Sequence, residues 1–116
     1  MERNLASTLG LVAIALLAPA LSACTLTLPV AGAMEVTHER FAGQATGHLD
    51  GAGELALTLA SGARCAGAFV YINGRQGSGT LQCTDGRSGT FSFVSTGKRG
   101  TGSGFLDGAP FTFTFG

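Results

Sequence analysis

Between residues 53 and 115 apolar side chains recur at every second position in short runs, and glycine-bearing turns separate the runs. Leu55, Leu57 and Leu59 share one face, with Glu54, Ala56 and Thr58 on the other. Cys65, Gly67, Phe69 and Tyr71 share a face in the next run. Leu81 and Cys83 follow, then Phe91 and Phe93, then Phe111, Phe113 and Phe115. A period of two puts such residues on one side of a pleated strand. Helices are disfavoured, because the chain carries 19 glycines and each costs about 1 kcal/mol relative to alanine in a helix interior.

Turn chemistry sits between the runs. Asp50-Gly51, Ser61-Gly62, Asn73-Gly74, Asp85-Gly86, Thr96-Gly97 and Asp107-Gly108 each pair a turn-starting residue with a glycine that tolerates positive φ. Their spacing of about ten residues is that of a meander or small barrel. The expected fold is therefore all-β, an antiparallel meander or barrel of about seven short strands. These fall near residues 40–46, 53–60, 64–72, 78–84, 88–95, 100–106 and 110–115. Connections this short exclude parallel crossovers. A loose repeat, G-x-G-x-L, recurs at Gly51–Leu55, Gly77–Leu81 and Gly102–Leu106. Glycines entering strands suggest tight curvature, as in a closed or nearly closed barrel.

Cys65 and Cys83 fall on adjacent expected strands, in phase with the apolar residues of each. They are expected to form a disulfide, provided the chain is exported to an oxidising compartment. A domain of about 80 residues buries only a little over 60% of its unfolded surface, so a covalent staple matters. Two cysteines without a nearby histidine do not make a zinc site.

Charge and residue type narrow the function. Seven basic residues balance seven acidic ones, and without a basic excess nucleic acid is not an expected partner. No catalytic set is evident, so no enzyme, cofactor or metal is expected. Ser61, His48 and Asp50 could be drawn as a triad, but no nucleophile-elbow pattern supports them. Gly100-Thr101-Gly102-Ser103-Gly104 follows Lys98-Arg99, but a phosphate-binding reading requires a helix next, and a strand is expected there. The candidate partner contacts are cations in glycine-rich turns: Arg75, Arg87, Lys98 and Arg99. In a meander the turns holding Arg75 and Arg87 fall at opposite ends, and Lys98 and Arg99 lie with Arg75.

The first 23 residues read as a signal peptide. Arg3 gives a weakly basic start, and Leu9 to Leu17 form an apolar run. That run is shorter than the roughly 20 residues a spanning helix needs. It ends in Leu21-Ser22-Ala23-Cys24. This motif resembles the lipobox of bacterial lipoproteins. The resemblance implies cleavage before Cys24, a diacylglycerol (palmitate-type chains) on its thiol and acylation of the new amine. Each buried CH2 adds about 0.8 kcal/mol, so several acyl chains anchor a small domain stably. An ordinary cleaved signal would instead leave Cys24 an unpaired thiol. Thr25, not Asp, follows the cysteine. The resemblance then implies the outer membrane, facing the periplasm, in a host with two membranes.

Residues 24–39 read as lipid anchor and linker, because Pro29 and Gly32 interrupt any strand, although an edge strand is conceivable there. Residues 40–116 read as the folded domain. The expected role is a lipid-anchored envelope protein of structural or protein-binding type, bound to the membrane through Cys24 and to an envelope protein through its exposed turns. The alternative is an inhibitor of a host enzyme such as lysozyme. It rests on likeness to the periplasmic lysozyme inhibitors in size, anchor and disulfide.

Overall fold

A computed structural model describes residues 25–116. These form eight strands, and each pairs antiparallel with the next. They are β1 (Thr25–Met34), β2 (Arg40–His48), β3 (Ala52–Leu59), β4 (Arg64–Tyr71), β5 (Gln76–Cys83), β6 (Ser88–Thr96), β7 (Arg99–Leu106) and β8 (Ala109–Phe115). β1 also pairs with β8, closing an up-and-down barrel.

The barrel differs from the sequence expectation at one place. Residues 25–34, read as linker, form β1 and supply the closing strand, so the folded domain includes them as well as residues 40–116. Their alternation is present but masked. Leu26, Leu28, Val30 and Met34 sit at even positions, with Gly32 taking one inward place. Pro29 is accommodated where the β8 ladder runs out. Its carbonyl accepts the Gly116 N–H at 3.0 Å, so the donor it lacks would have reached only a residue beyond β8.

The turns follow their expected chemistry. Gly51, Gly62, Gly86, Gly97 and Gly108 all have positive φ. At the last hairpin Asp107 joins Gly108 at φ 47° and 79°, the two-residue geometry that matches strand twist. Asn73-Gly74 works differently: the Asn73 side-chain oxygen accepts the Arg75 and Gln76 N–H groups, both at 2.9 Å.

The interior is packed by phenylalanine rings laid over glycines. Seven directly opposed cross-strand pairs have this form: Gly32–Phe41, Gly53–Phe69, Gly77–Phe93, Gly79–Phe91, Gly100–Phe115, Gly102–Phe113 and Gly104–Phe111. The glycines lie on odd-numbered strands and the rings on even-numbered ones. A Cβ at any of these glycines would overlap the facing ring. An eight-stranded barrel has room for little more than its own side chains, so each large ring needs a partner with no side chain. The rings meet mostly edge to face, as in Phe69–Phe93 at 5.2 Å and Phe41–Phe111 at 5.8 Å. This explains the G-x-G-x-L repeat: on β5 and β7 its glycines lie under rings and its leucine fills the core.

Cys65 and Cys83 stand opposite each other on β4 and β5 and form the expected disulfide. The outer wall is built from residues such as Gln44, Thr58, Thr80, Ser92, Thr101 and Thr112, with few large apolar groups along its middle. Apolar inside and polar outside is the reverse of a barrel embedded in lipid.

Candidate functional site

An up-and-down barrel collects alternate connections at each end. Thr25 enters at one rim, called proximal here, together with the β2–β3, β4–β5 and β6–β7 turns and the end of β8. The β1–β2, β3–β4, β5–β6 and β7–β8 connections form the distal rim. Cys24 and the motif that precedes it lie outside the described residues. The next residue, Thr25, is already in β1 at the proximal rim.

The candidate contact residues divide between the rims as the meander requires. Arg75, Lys98 and Arg99 are proximal and Arg87 is distal. Two hydrogen bonds tie neighbouring proximal turns together: Tyr71 N–H to Gly51 O at 2.9 Å, and Ser95 N–H to Arg75 O at 2.7 Å. Among the described residues, Arg75, Lys98 and Arg99 make no ion pair, whereas Glu54 meets His48 Nε2 at 2.6 Å.

The proximal end also holds what sequence reading missed. Eight large hydrophobic residues are exposed among those described, and six are here: Leu26, Leu49, Val70, Tyr71, Ile72 and Val94. Leu49 and Ile72 stand out at 86% and 69% exposure. Their signal was present, since each sits beside a turn, outside the alternation of its strand. At the same end the barrel opens into an apolar mouth of about 70 Å³, walled by Leu26, Leu28, Val30, Phe69, Tyr71 and Phe93. Tyr71 and Phe69 pack edge to face on Phe93, at 5.3 and 5.2 Å.

The distal rim is braced by charge. The Arg87 guanidinium donates to Asp85 at 2.8 Å within its own turn and to Glu39 at 3.2 Å across from β1–β2. Glu39 also accepts the Ser61 N–H at 3.3 Å, which brings in the β3–β4 turn. Asp85 caps its own turn by accepting the Arg87 N–H at 3.1 Å, and Asp107 accepts the Ser88 N–H at 3.1 Å. Arg87 therefore joins two connections, Glu39 extends the link to a third, and the cation is not loose at a tip. Glu39 and Arg87 stand 48 residues apart, a separation that offers no local signal.

This bracket has a pH dependence. Hydrogen bonding from Ser61, then from Arg87, holds Glu39 below its ordinary value, against the opposing effect of burial. The Arg87 side chain does the same for Asp85. Groups with lowered folded pKa stabilise above their ordinary values, and that stabilisation fades as acid protonates them. The melting temperature should fall as pH drops from about 5 through the lowered folded pKa values, and Glu39→Gln should flatten that fall. Thermal unfolding followed by circular dichroism across a pH series checks this. An equally steep fall in the variant would remove Glu39 from the account.

Two sequence candidates for chemistry do not assemble. Ser61 is distal while His48 and Asp50 are proximal, so the drawn triad is spread over both ends. Gly100, Gly102 and Gly104 are committed to β7 beneath Phe115, Phe113 and Phe111, with no helix following. No protein-family model matches the chain, and no curated protein or solved structure does.

Proposed function

We propose that this chain is a lipid-anchored protein of the bacterial cell envelope that works by contact. The supporting observation is where the barrel begins. Thr25 is already in β1, so acyl chains on Cys24 would hold the proximal rim directly against the bilayer. The distal rim, stiffened by Glu39, Arg87 and Asp85, would then face away from the membrane as the surface offered to an envelope partner. Val36, 74% exposed in the β1–β2 connection, would stand at its edge. In a host with two membranes the reading places the barrel on the outer membrane, facing the periplasm.

Intact-mass measurement of the protein from its native host tests the anchor. The expected species begins at Cys24, carries a diacylglyceryl group and an N-acyl chain, and partitions into detergent. A chain with a free Cys24 thiol, recovered in the aqueous phase, would overturn the reading.

A further inference from the structure

We propose that the proximal rim is itself a membrane-binding surface, which seats Leu49, Ile72 and Tyr71 in the interfacial layer of an anionic phospholipid bilayer. The inference rests on the lipid-anchored reading for its third observation, while its exposed apolar groups and its cations stand independently of it.

Three observations converge on this rim. The first is the uneven distribution of apolar surface. Leu26, Leu49, Val70, Tyr71, Ile72 and Val94 are exposed at this end, while only Val36 and Phe105, among large exposed hydrophobics of the described residues, lie toward the other. An exposed apolar cluster rimmed by polar groups marks a contact surface. The second is charge. Arg75, Lys98 and Arg99 stand in two neighbouring turns beside that cluster and make no ion pair among the described residues. These three cations outnumber the two side-chain carboxylates of the same rim, Glu54 beside His48 and Asp50, which accepts the Ala52 N–H at 3.0 Å. Long cationic side chains beside inserted apolar groups suit an anionic headgroup layer. The third is position. The chain leaves this rim at Thr25, one residue after the cysteine of the lipobox-like motif, so a lipid surface is the nearest available occupant. The apolar mouth opens toward the same side and offers no polar side chain but the Tyr71 hydroxyl to water.

Such a rim would fix orientation. Acyl chains on Cys24 would hold the rim at a single point. Leu49 in β2–β3 and Ile72 in β4–β5 add contacts at separate points, so the distal rim would be held outward.

The test uses residues 24–116, which contain all eight paired strands, with Cys24→Ser to remove the lipid. Cosedimentation is measured with phosphatidylethanolamine–phosphatidylglycerol vesicles and with neutral phosphatidylcholine vesicles. The expected result is binding to the anionic vesicles that weakens roughly tenfold in Leu49→Ser/Ile72→Ser. Binding should also weaken several-fold in Arg75→Gln/Lys98→Gln/Arg99→Gln, and as salt is raised above about 0.15 M. Val36→Ser, at the distal rim, should bind as the parent does. All these positions are exposed turn or strand-edge sites, and matched thermal unfolding confirms that the fold is retained. No binding to anionic vesicles would overturn the proposal, as would equal loss in the Val36 variant, or self-association through Leu49 and Ile72 in place of vesicle binding. Vesicle binding by the unlipidated chain, together with a native protein bearing no lipid, would keep the rim and remove the anchor. A lipidated native protein whose unlipidated form ignores vesicles would do the reverse.

Discussion

Phe113→Ala should cost the barrel about 3–5 kcal/mol, the range for removing a buried aromatic ring. Phe113 is buried on β8, packs against Phe91 and Phe111 at 6.0 and 6.1 Å, and lies over Gly102 of β7. Gly102 tests the same packing from beneath. The atoms nearest to an added Cβ there all belong to the Phe113 ring, with no backbone among them. Gly102→Val should therefore destabilise by about 1–3 kcal/mol through overpacking, although valine is intrinsically the better strand residue. In the double variant the valine occupies space the ring has left. Its cost should fall short of the sum by about 1 kcal/mol or more, as for residues in contact. Urea midpoints of the four proteins decide this. Strict additivity would mean that ring and glycine do not act as a unit.

Removing the Cys65–Cys83 bridge should be the second large effect. The bond joins directly opposed residues on β4 and β5, 18 apart in sequence. Closing a loop of this size contributes roughly 3 kcal/mol in the chain-entropy model. For a domain of this length each kcal/mol moves the melting temperature by about 4–8 °C. Cys65→Ala/Cys83→Ala, or reduction by a thiol, should therefore lower the melting temperature by roughly 15 °C. Differential scanning calorimetry of the parent with and without reductant measures it. A shift of only a degree or two would show that the strands on either side hold β4 and β5 in register without the bond.

Much of the fold was legible because its signals are local. Leu55, Leu57 and Leu59 declare their face by alternation alone, and Phe111, Phe113 and Phe115 do the same. Asp107-Gly108 announces a tight hairpin through its own backbone preferences. The cysteine pair was readable because both thiols fall in phase with apolar neighbours on consecutive strands. β1 was not readable as part of the barrel, because Gly32 vacates an inward position and Pro29 is a poor strand residue unless its missing N–H faces a ladder's end. Whether a ladder ends there depends on where β8 stops, which is information from the other end of the chain.

The candidate surfaces divide in the same way. Arg75, Lys98 and Arg99 could be assigned to one end and Arg87 to the other by counting turns. The engagement of Arg87 with Glu39, and the arrival of Leu26 at the rim of Leu49 and Ile72 through β1, could not.

Taken alone, then, the order of the residues determined which faces are apolar, where the chain turns and which cysteines can meet. Each depends on the steric and hydration preferences of residues close together along the chain. Closure, the seating of each phenylalanine over its glycine, and the bracket of Arg87 and Glu39 across the distal rim were decided only in three dimensions. The physical reason is register: a ring finds its glycine, and a turn its neighbours, only once the offsets of all eight strands have summed around the closed barrel.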